Sequence, residues 1–391
     1  MSAATSNRYQ RVLEPLRVKD VTLRNRIVYP PIGTGYATRE GYVTGGLINY
    51  HAARAVHVGM DTVEFTTVRQ RGALIPNHLA AYDDKFVPGL AKLAEAIKSK
   101  GATAALQLVD LGARTGTAGA VGDPLAPSKI PAGAIGLYES IEMTVVQIKE
   151  MVEAFAEGAR RAYQAGFDVV EIHAAHMYLI SQFLSGFTNK RTDDYGGYLE
   201  NRARFLLQII TAVKQRVPDN YPVAVRINGE ESYENGLTID QSQRIAQLLE
   251  KAGVDIISVS RIIRKAQMKS GAGLAYEWNT SVPPKEAEDG CNLYLAEAVR
   301  KVVKVPVMTA GKIFSLDQAE QILRDGKADL IGMARQLIAD PDTIQKELGG
   351  RSNEVRRCKQ DHLCGITLGS GKPVRCSWNK ALPPENISTP A

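Results

Sequence analysis

The stretch Asp168-Val-Val-Glu-Ile-His-Ala-Ala-His-Met-Tyr-Leu179 decides how this chain is interpreted. It follows a Gly-Phe pair that closes a predicted helix, and it opens with a short apolar strand. Three side chains that can donate or accept protons come at its end: His173, His176 and Tyr178. Parallel α/β folds place their chemistry at the carboxyl ends of strands, so the stretch predicts an active centre.

The chain repeats a strand followed by a helix eight times. The predicted strands cover residues 25–31, 62–68, 104–108, 169–172, 223–227, 255–260, 305–310 and 330–333. Most are short apolar runs, as expected when both faces of a sheet are buried. Eight such units predict one α/β domain, a single (β/α)8 TIM barrel over about residues 25–350, with irregular extensions at 1–24 and 351–391. An open doubly wound sheet would need an early Gly-x-Gly-x-x-Gly loop, and we find none.

Helix boundaries carry local signals. Capping boxes, in which a Ser or Thr precedes a Gln by three residues, predict helix starts at Thr144, Thr238 and Ser315. The other helices are predicted over residues 45–55, 87–100, 199–217, 292–303 and 341–348. A long loop over residues 261–291 lacks such signals, and loops of this length often form active-site lids.

Composition limits the class of protein. The 391 residues are 44% apolar and 23% charged, with a net charge of +6. No apolar run approaches the roughly 18 residues of a membrane span, and residues 1–14 do not resemble a signal peptide, so we expect a cytoplasmic protein. The sequence has no basic stripe with interleaved aromatic residues, so we do not expect nucleic-acid binding. The mild positive charge fits an ordinary solvated surface, or attraction for anionic ligands.

The predicted strand ends share one mouth of the barrel. They supply Pro31, Ile32, Gly33, Gln107, Arg226, Asn228, Ala310, Gly311, Lys312, Ala334 and Arg335. The loops after strands seven and eight usually bind phosphate in such barrels, and Gly311 and Arg335 suit that task. Gln107 adds an amide and Arg226 a permanent cation. This set would bind a phosphorylated heterocycle with an amide-like edge.

Several motifs together resemble one known family. They are Leu23-Arg-Asn-Arg-Ile-Val28, Gln107-Leu108, Ala126-Pro-Ser128, the stretch Gly166–Leu179, Asn189-Lys-Arg-Thr-Asp-Asp-Tyr-Gly-Gly197, Asn201-Arg202 and Gly332-Met-Ala-Arg335. The chain resembles the old yellow enzyme family of FMN-dependent oxidoreductases from Leu16 to Asp342. The resemblance implies FMN and NAD(P)H as cofactors and a homo-oligomer.

The resemblance also implies residue roles. Gln107 would bond the pyrimidine edge of FMN, Arg226 would lie beside N1 and O2, and Gly311 and Arg335 would bind the phosphate. His173 and His176 would bond the carbonyl oxygen of the substrate, and Tyr178 would donate a proton. The imidazoles would then stabilise an enolate, and a tyrosine with pKa near 10 is protonated at pH 7. The alternatives are structural roles for these side chains, or a zinc site at the two histidines.

Two loops depart from the family pattern. Gly33 lacks the side chain that many members direct at flavin O4, so we expect an altered flavin potential. No cysteine occurs in this loop, which predicts non-covalent FMN. Asp110-Leu-Gly-Ala-Arg114 replaces a His-Ala-Gly-Arg sequence and leaves the role of that loop open.

The carboxyl-terminal segment is rich in cysteine. Larger relatives bind a [4Fe–4S] cluster there through four cysteines, whereas this chain has only Cys358, Cys364 and Cys376. We interpret them as buried thiols, so no metal is expected. The alternatives are a cluster on these three residues, or a zinc site that includes His362.

The expected function is reduction of the C=C bond of an α,β-unsaturated carbonyl compound by NAD(P)H. One alternative is a flavin enzyme fed by a partner protein and acting on a CoA ester or an amine. This alternative follows if the chain lacks the further domains of larger relatives, because electrons would then come from a partner protein. The other is a non-catalytic flavin carrier.

Overall fold

The computed structural model describes residues 8–70, 77–114, 124–136, 138–263, 281–383 and 390–391. Its strands are β1 (Leu16–Val18), β2 (Val21–Leu23), β3 (Ile27–Tyr29), β4 (Met60–Thr67), β5 (Thr103–Val109), β6 (Leu125–Ala126), β7 (Ile141–Glu142), β8 (Val169–Ala174), β9 (Val223–Glu231), β10 (Ile256–Ile262), β11 (Val307–Ala310) and β12 (Leu330–Gly332). Eight of them form a closed parallel barrel in the order β3-β4-β5-β8-β9-β10-β11-β12, and β12 pairs with β3. The predicted (β/α)8 barrel is confirmed.

Helices surround the barrel. They are α1 (Gln10–Leu13), α2 (Gly45–Ala55), α3 (Val87–Lys98), α4 (Val145–Gln164), α5 (Leu179–Leu184), α6 (Leu199–Arg216), α7 (Ile239–Lys251), α8 (Leu293–Arg300), α9 (Leu316–Arg324), α10 (Arg335–Ala339), α11 (Thr343–Leu348) and α12 (Leu363–Gly369). The eight helices predicted from sequence lie within a few residues of their expected bounds, whereas α1, α5, α10 and α12 were not predicted.

Two of the three predicted capping boxes are complete. The side chains of Thr144 and Thr238 each accept a bond from the backbone N–H of the Gln three residues on. The side chain of that Gln accepts a bond from the backbone N–H of the Thr. Ser315 accepts the bond from Gln318 N–H, but the Gln318 side chain accepts from Phe314 N–H instead, at 3.0 Å. The third box is therefore half formed, and that prediction was wrong in its second bond.

The amino-terminal end of the barrel is filled by apolar side chains. Each barrel strand contributes one buried residue to this apolar layer: Val28, Met60, Ala105, Val169, Ala224, Ile256, Met308 and Leu330. Val18 and Leu23 of the β1–β2 hairpin complete this cluster, which we call the floor cluster. Burial of this apolar surface stabilises the closed barrel and leaves the carboxyl ends of the strands for the site.

The prediction of an irregular segment over residues 1–24 was wrong for residues 16–23, which form the β1–β2 hairpin. Leu16 pairs with Leu23 and Val18 with Val21 in antiparallel register, so the segment is ordered by its pairing and by the floor cluster. Residues 1–7 lie outside the described part of the chain. The turn uses Lys19 in the left-handed region, with φ of 52°, where a glycine or asparagine would have marked it in the sequence.

The carboxyl-terminal extension packs over the barrel mouth. Val374 N–H donates to the carbonyl of Thr34 at 2.8 Å, and the Tyr36 hydroxyl donates to the carbonyl of Val374 at 3.2 Å. The extension thereby lies against the loop that follows β3. Of the predicted 261–291 lid, residues 264–280 lie outside the described chain, while Ser281, Val282 and Pro283 approach the mouth.

No helix in the described ranges is both long enough and apolar enough to cross a membrane.

Candidate active site

A cavity of about 660 Å³ opens at the carboxyl ends of the barrel strands. With one exception, the residues that the sequence predicted at the barrel mouth line it: Pro31, Ile32, Gly33, Gln107, His173, His176, Tyr178, Arg226, Ala310, Gly311, Lys312, Ala334 and Arg335. Sequence reasoning missed several further lining residues: Phe65, Arg114, Ser260, Asn292 and residues of the segment 362–374. Asn228 does not line the cavity but supports His176 from behind.

His176 is held in an unusual backbone conformation. Its φ is 61° and that of Met177 is 55°, both in the left-handed region that costs non-glycine residues of order 1 kcal/mol or more. Two bonds hold it: the backbone N–H donates to Asn228 Oδ1 at 3.1 Å, and the carbonyl accepts from Arg114 Nη1 at 2.7 Å. Asn228 is itself fixed by donating to Glu231 Oε1 at 3.0 Å. These bonds therefore hold the backbone of the turn after β8 in place.

The two histidines face each other across the top of β8. His173 Nε2 and His176 Nδ1 are 3.2 Å apart, and His176 Nε2 lies 2.6 Å from Ser260 Oγ. Burial lowers the pKa of both rings well below the usual value, and the Arg226 and Arg114 charges lower it further. Both are neutral at pH 7, so each carries one N–H. The sequence analysis expects both histidines to donate to the carbonyl oxygen of the substrate. In that case the oxygen would replace the bond between His173 Nε2 and His176 Nδ1.

Tyr178 lies beside this pair. Its ring centroid is 5.0 Å from that of His173, and the Arg114 guanidinium lies 5.1 Å from the Tyr178 centroid. Burial raises the pKa of Tyr178, and the Arg114 charge opposes the shift. The phenol is therefore protonated at pH 7 and is chemically able to donate a proton.

A carboxylate lies beneath the histidines. Glu171 is buried on β8, where Gln107 Nε2 donates to its Oε1 at 2.6 Å. Burial raises the pKa of Glu171, while the charge of Arg226 and the Gln107 bond lower it. The Gln107 bond turns the NH2 group toward Glu171 and leaves the Gln107 carbonyl oxygen for another donor. The sequence held a signal for Glu171: strand periodicity places it on the same face as His173.

The opposite end of the cavity suits a phosphate. Gly311 has φ of 139°, and a Cβ there would lie 2.7 Å from Asn292 Nδ2, so only glycine fits. Arg335 Nη1 is buried with no hydrogen-bond partner among the described residues. Lys312 differs from expectation, because its Nζ donates to the carbonyls of Lys285, at 2.7 Å, and Ala287. Its ammonium is thus occupied outside the cavity.

Local hydrogen bonds lie in or beside the two unusual loops. In the segment Pro31–Gly33, the following residue, Thr34, donates its backbone N–H to the buried Glu64 Oε2 at 2.6 Å. Asp110 Oδ1 accepts from Gly112 N–H at 2.9 Å and so shapes the short 3-10 turn Gly112–Arg114. The acidic residue in place of the family histidine therefore has a structural part in positioning Arg114.

The charges of the cavity are all of one sign in the described part of the chain. Its described lining includes Arg114, Arg226 and Arg335, together with Lys312, whose ammonium is engaged by loop carbonyls, and no Asp or Glu. Arg226 Nε, like Arg335 Nη1, is buried without a described partner. Buried cationic donors at two ends, an amide between them and a glycine cradle fit a flavin with its phosphate.

The cysteines of the extension form no evident ligand set. Cys358, Cys364 and Cys376 are partly buried and none is in a disulfide. Burial raises the pKa of the Cys364 thiol to about 11, which favours the thiol over the thiolate that binds metals. Within the described ranges, no three His, Cys, Asp or Glu side chains are grouped to hold a metal ion.

Comparisons with known proteins show the family of this chain. The model of the NADH:flavin oxidoreductase / NADH oxidase family matches residues 11–354, and the chain belongs to this family. It is 39% identical over 379 residues to an NADH oxidase of Thermoanaerobacter brockii, covering 95% of this chain but 56% of that protein. It is 38% identical over 344 residues to an NADPH dehydrogenase of a Geobacillus species, covering 86% of this chain and 94% of that protein.

Solved structures share the barrel. A 2-naphthoyl-CoA reductase superposes with a TM-score of 0.87 at 29% identity, covering 96% of this chain and 57% of that one. An old yellow enzyme homologue of Zymomonas mobilis superposes with a TM-score of 0.73 at 25% identity, covering 87% and 92%. Family membership supports FMN and a nicotinamide nucleotide as cofactors, and the family is one of oxidoreductases with the old yellow enzyme type of fold. The chain spans about half the length of its larger relatives.

Proposed function

We propose that this protein reduces the C=C bond of α,β-unsaturated carbonyl compounds with NAD(P)H. The observation that carries the proposal is the meeting of His173, His176 and Tyr178 at one wall of a cavity whose other groups suit a flavin. When bound, FMN would accept a hydride from NAD(P)H and pass it from N5 to the β-carbon of the substrate.

The proposed flavin contacts follow from the donor set. Gln107 would present its carbonyl oxygen to the pyrimidine N–H, because Glu171 occupies its NH2 group. Arg226 would stabilise negative charge at that edge, and Arg335 with the Gly311 backbone would bind the phosphate. Pro31, Ile32, Gly33, Ala310, Lys312 and Ala334 would contribute backbone and apolar surface around the ring and ribityl chain.

The proposed chemistry of the protein acts on the substrate. Negative charge develops on the carbonyl oxygen as hydride adds to the β-carbon, and N–H donors of His173 and His176 would stabilise it. Tyr178 would then give its proton to the α-carbon, and solvent would return a proton to the phenolate. Burial keeps the pKa of Tyr178 above its usual value, so the donor form persists across neutral pH.

The test is the variant Tyr178→Phe in stopped-flow experiments with the flavin-loaded protein. Reduction by NADPH should keep its rate, while reoxidation by cyclohexenone should slow by about 10² or more, since a general acid contributes about that factor. Tyr198→Phe, which changes an 84% exposed tyrosine, is the matched control. Equal slowing of both half-reactions would overturn the role of Tyr178, and a reduced wild-type flavin that cyclohexenone cannot reoxidise would overturn the function.

A second candidate is a partner-fed flavin enzyme that acts on a CoA ester. With Arg226 and Arg335 assigned to the flavin, the described lining still holds the Arg114 guanidinium and no carboxylate, which favours an anionic substrate of this kind over an amine. Iron analysis and anaerobic NADPH titration separate the candidates. Failure of NADPH to bleach the flavin would favour the partner-fed enzyme.

We further propose a homo-oligomer on the basis of family resemblance. Light scattering coupled to size exclusion would test it.

A further inference from the structure

Ser260 joins two residues of the cavity that come from other strands. It is 3% exposed near the end of β10. Its Oγ lies 2.6 Å from His176 Nε2 and 3.4 Å from Arg226 Nη2. One hydroxyl therefore bridges a proposed flavin contact and a proposed substrate contact.

The chemistry of the three groups sets the direction of these bonds. An arginine guanidinium has donors and no acceptor, so Ser260 Oγ accepts from Arg226. The hydroxyl proton then needs an acceptor, and His176 Nε2 is the acceptor in hydrogen-bond contact with it among the described residues. Ser260 donates to Nε2, which leaves that nitrogen without a proton.

The state of the other ring nitrogen follows from charge. Burial, helped by the positive charges of Arg226 and Arg114, lowers the pKa of His176 well below its usual value, so the ring is neutral at pH 7. A neutral imidazole has one N–H. With Nε2 unprotonated, the proton is on Nδ1, the atom that lies 3.2 Å from His173 Nε2.

We propose that Ser260 is a positioning residue that fixes His176 as the Nδ1–H tautomer and so makes Nδ1–H the donor to the carbonyl oxygen of the substrate. The inference rests on the proposed function for the identity of that oxygen. Asn228 and Arg114 hold the backbone of His176, and His173 and Ser260 contact the two ring nitrogens, so the tautomer is what remains to be set. The opposite tautomer would present a lone pair at Nδ1 and repel a developing oxyanion.

The decisive measurement is nitrogen NMR of the flavin-loaded protein labelled with ¹⁵N-histidine. The chain has six histidines, and the His176→Gln spectrum identifies the signals of His176. The wild type should show protonated Nδ1 and unprotonated Nε2. Ser260→Ala should shift His176 toward the Nε2–H form, and Ser260→Thr, which keeps the hydroxyl, should restore the wild-type pattern.

Ser258→Ala is the matched control. It removes a buried hydroxyl two residues earlier on the same strand, whose Oγ has no hydrogen-bond partner in the described chain, and it should leave the His176 signals unchanged. An Nε2–H tautomer in the wild type, or the same tautomer in wild type and Ser260→Ala, would overturn the inference.

A kinetic readout complements the spectra. Ser260→Ala should slow reoxidation by saturating cyclohexenone by about tenfold to a hundredfold, with Ser260→Thr recovering most of the loss. Complete loss of one oxyanion donor costs about 10²–10³, and Ser260→Ala shifts the tautomer without removing the imidazole. Flavin reduction by NADPH should change much less. Absence of enone turnover in the wild type would overturn the proposed function, whereas the NMR comparison decides the tautomer without any substrate.

Discussion

At the scale of single residues, the site depends on neighbours that a linear sequence does not show. The histidines, Tyr178, Gln107, Arg226 and the glycine cradle could be predicted because they fall at strand ends. Ser260 also ends a predicted strand, 255–260, but its bond to His176, 84 positions away, depends on side-chain geometry that the sequence does not give. Glu171 was within reach, because strand alternation places it under His173. The engagement of the Lys312 ammonium by loop carbonyls could not be foreseen either.

One residue-scale prediction concerns the buried carboxyl of Glu64. Burial raises its pKa from 4.5 to about 7, opposed by the bond from Thr34. The native state then retains a proton that the unfolded chain releases between these values, so this group's stability contribution is full below pH 4.5 and is lost as pH rises through 7. The change is on the order of 3 kcal/mol.

The variant Glu64→Gln lacks this titration. Its free energy of unfolding relative to wild type should therefore rise from pH 5 to pH 8, measured by urea denaturation at both values. Glu150→Gln, at an exposed position on α4, is the control. A difference between Glu64→Gln and wild type that stays constant with pH would contradict the prediction.

At the scale of elements, apolar runs and caps located the barrel strands and their helices closely. Both Thr-Gln capping boxes formed as the spacing predicts. At Ser315, Phe314 N–H competed successfully for the Gln318 oxygen, which sequence spacing alone cannot reveal. The β1–β2 hairpin was missed because its strands are three residues long and its turn lacks glycine and asparagine. Short elements of this kind are stabilised by tertiary packing more than by propensity.

The start of α4 offers an element-scale prediction. Thr144 Oγ1 accepts from Gln147 N–H at 3.2 Å, and Gln147 Oε1 accepts from Thr144 N–H at 2.9 Å. Thr144→Ala removes the first bond and should lower the free energy of unfolding by about 1 kcal/mol. Thr144→Ser retains the cap and should stay close to wild type. Equal stability of the Ala and Ser variants in urea titrations would count against a stabilising cap.

At the scale of the whole molecule, closure follows from eight repeated units and was predictable from their number and apolar character. The floor cluster takes one residue from every barrel strand, so it ties the repeats into one core. What the sequence left open was how the amino-terminal end is sealed. The hairpin provides the seal, because Val18 and Leu23 add to a layer that the barrel strands alone leave facing outward.

The floor cluster can be tested with Leu23→Ala. Leu23 is fully buried, so the substitution should lower the free energy of unfolding by about 2–5 kcal/mol through lost transfer energy and a residual cavity. The flavin spectrum should be unchanged, since the site is at the other end of the barrel. Thr22→Ala, on the exposed face of the same strand, should change stability by about 0.5 kcal/mol or less. Equal effects of the two variants would show that the hairpin is not part of the cooperative core.

The sealed floor also has a kinetic consequence. With the amino-terminal end filled, the described cavity opens at the carboxyl ends of the strands, so the nicotinamide nucleotide and the unsaturated substrate of the proposed reaction would enter through the same mouth and compete for the space beside the flavin. For the reaction proposed above they take turns, which is a ping-pong order. Double-reciprocal plots would then be parallel, and an excess of either reactant would inhibit by occupying the site in the wrong redox state.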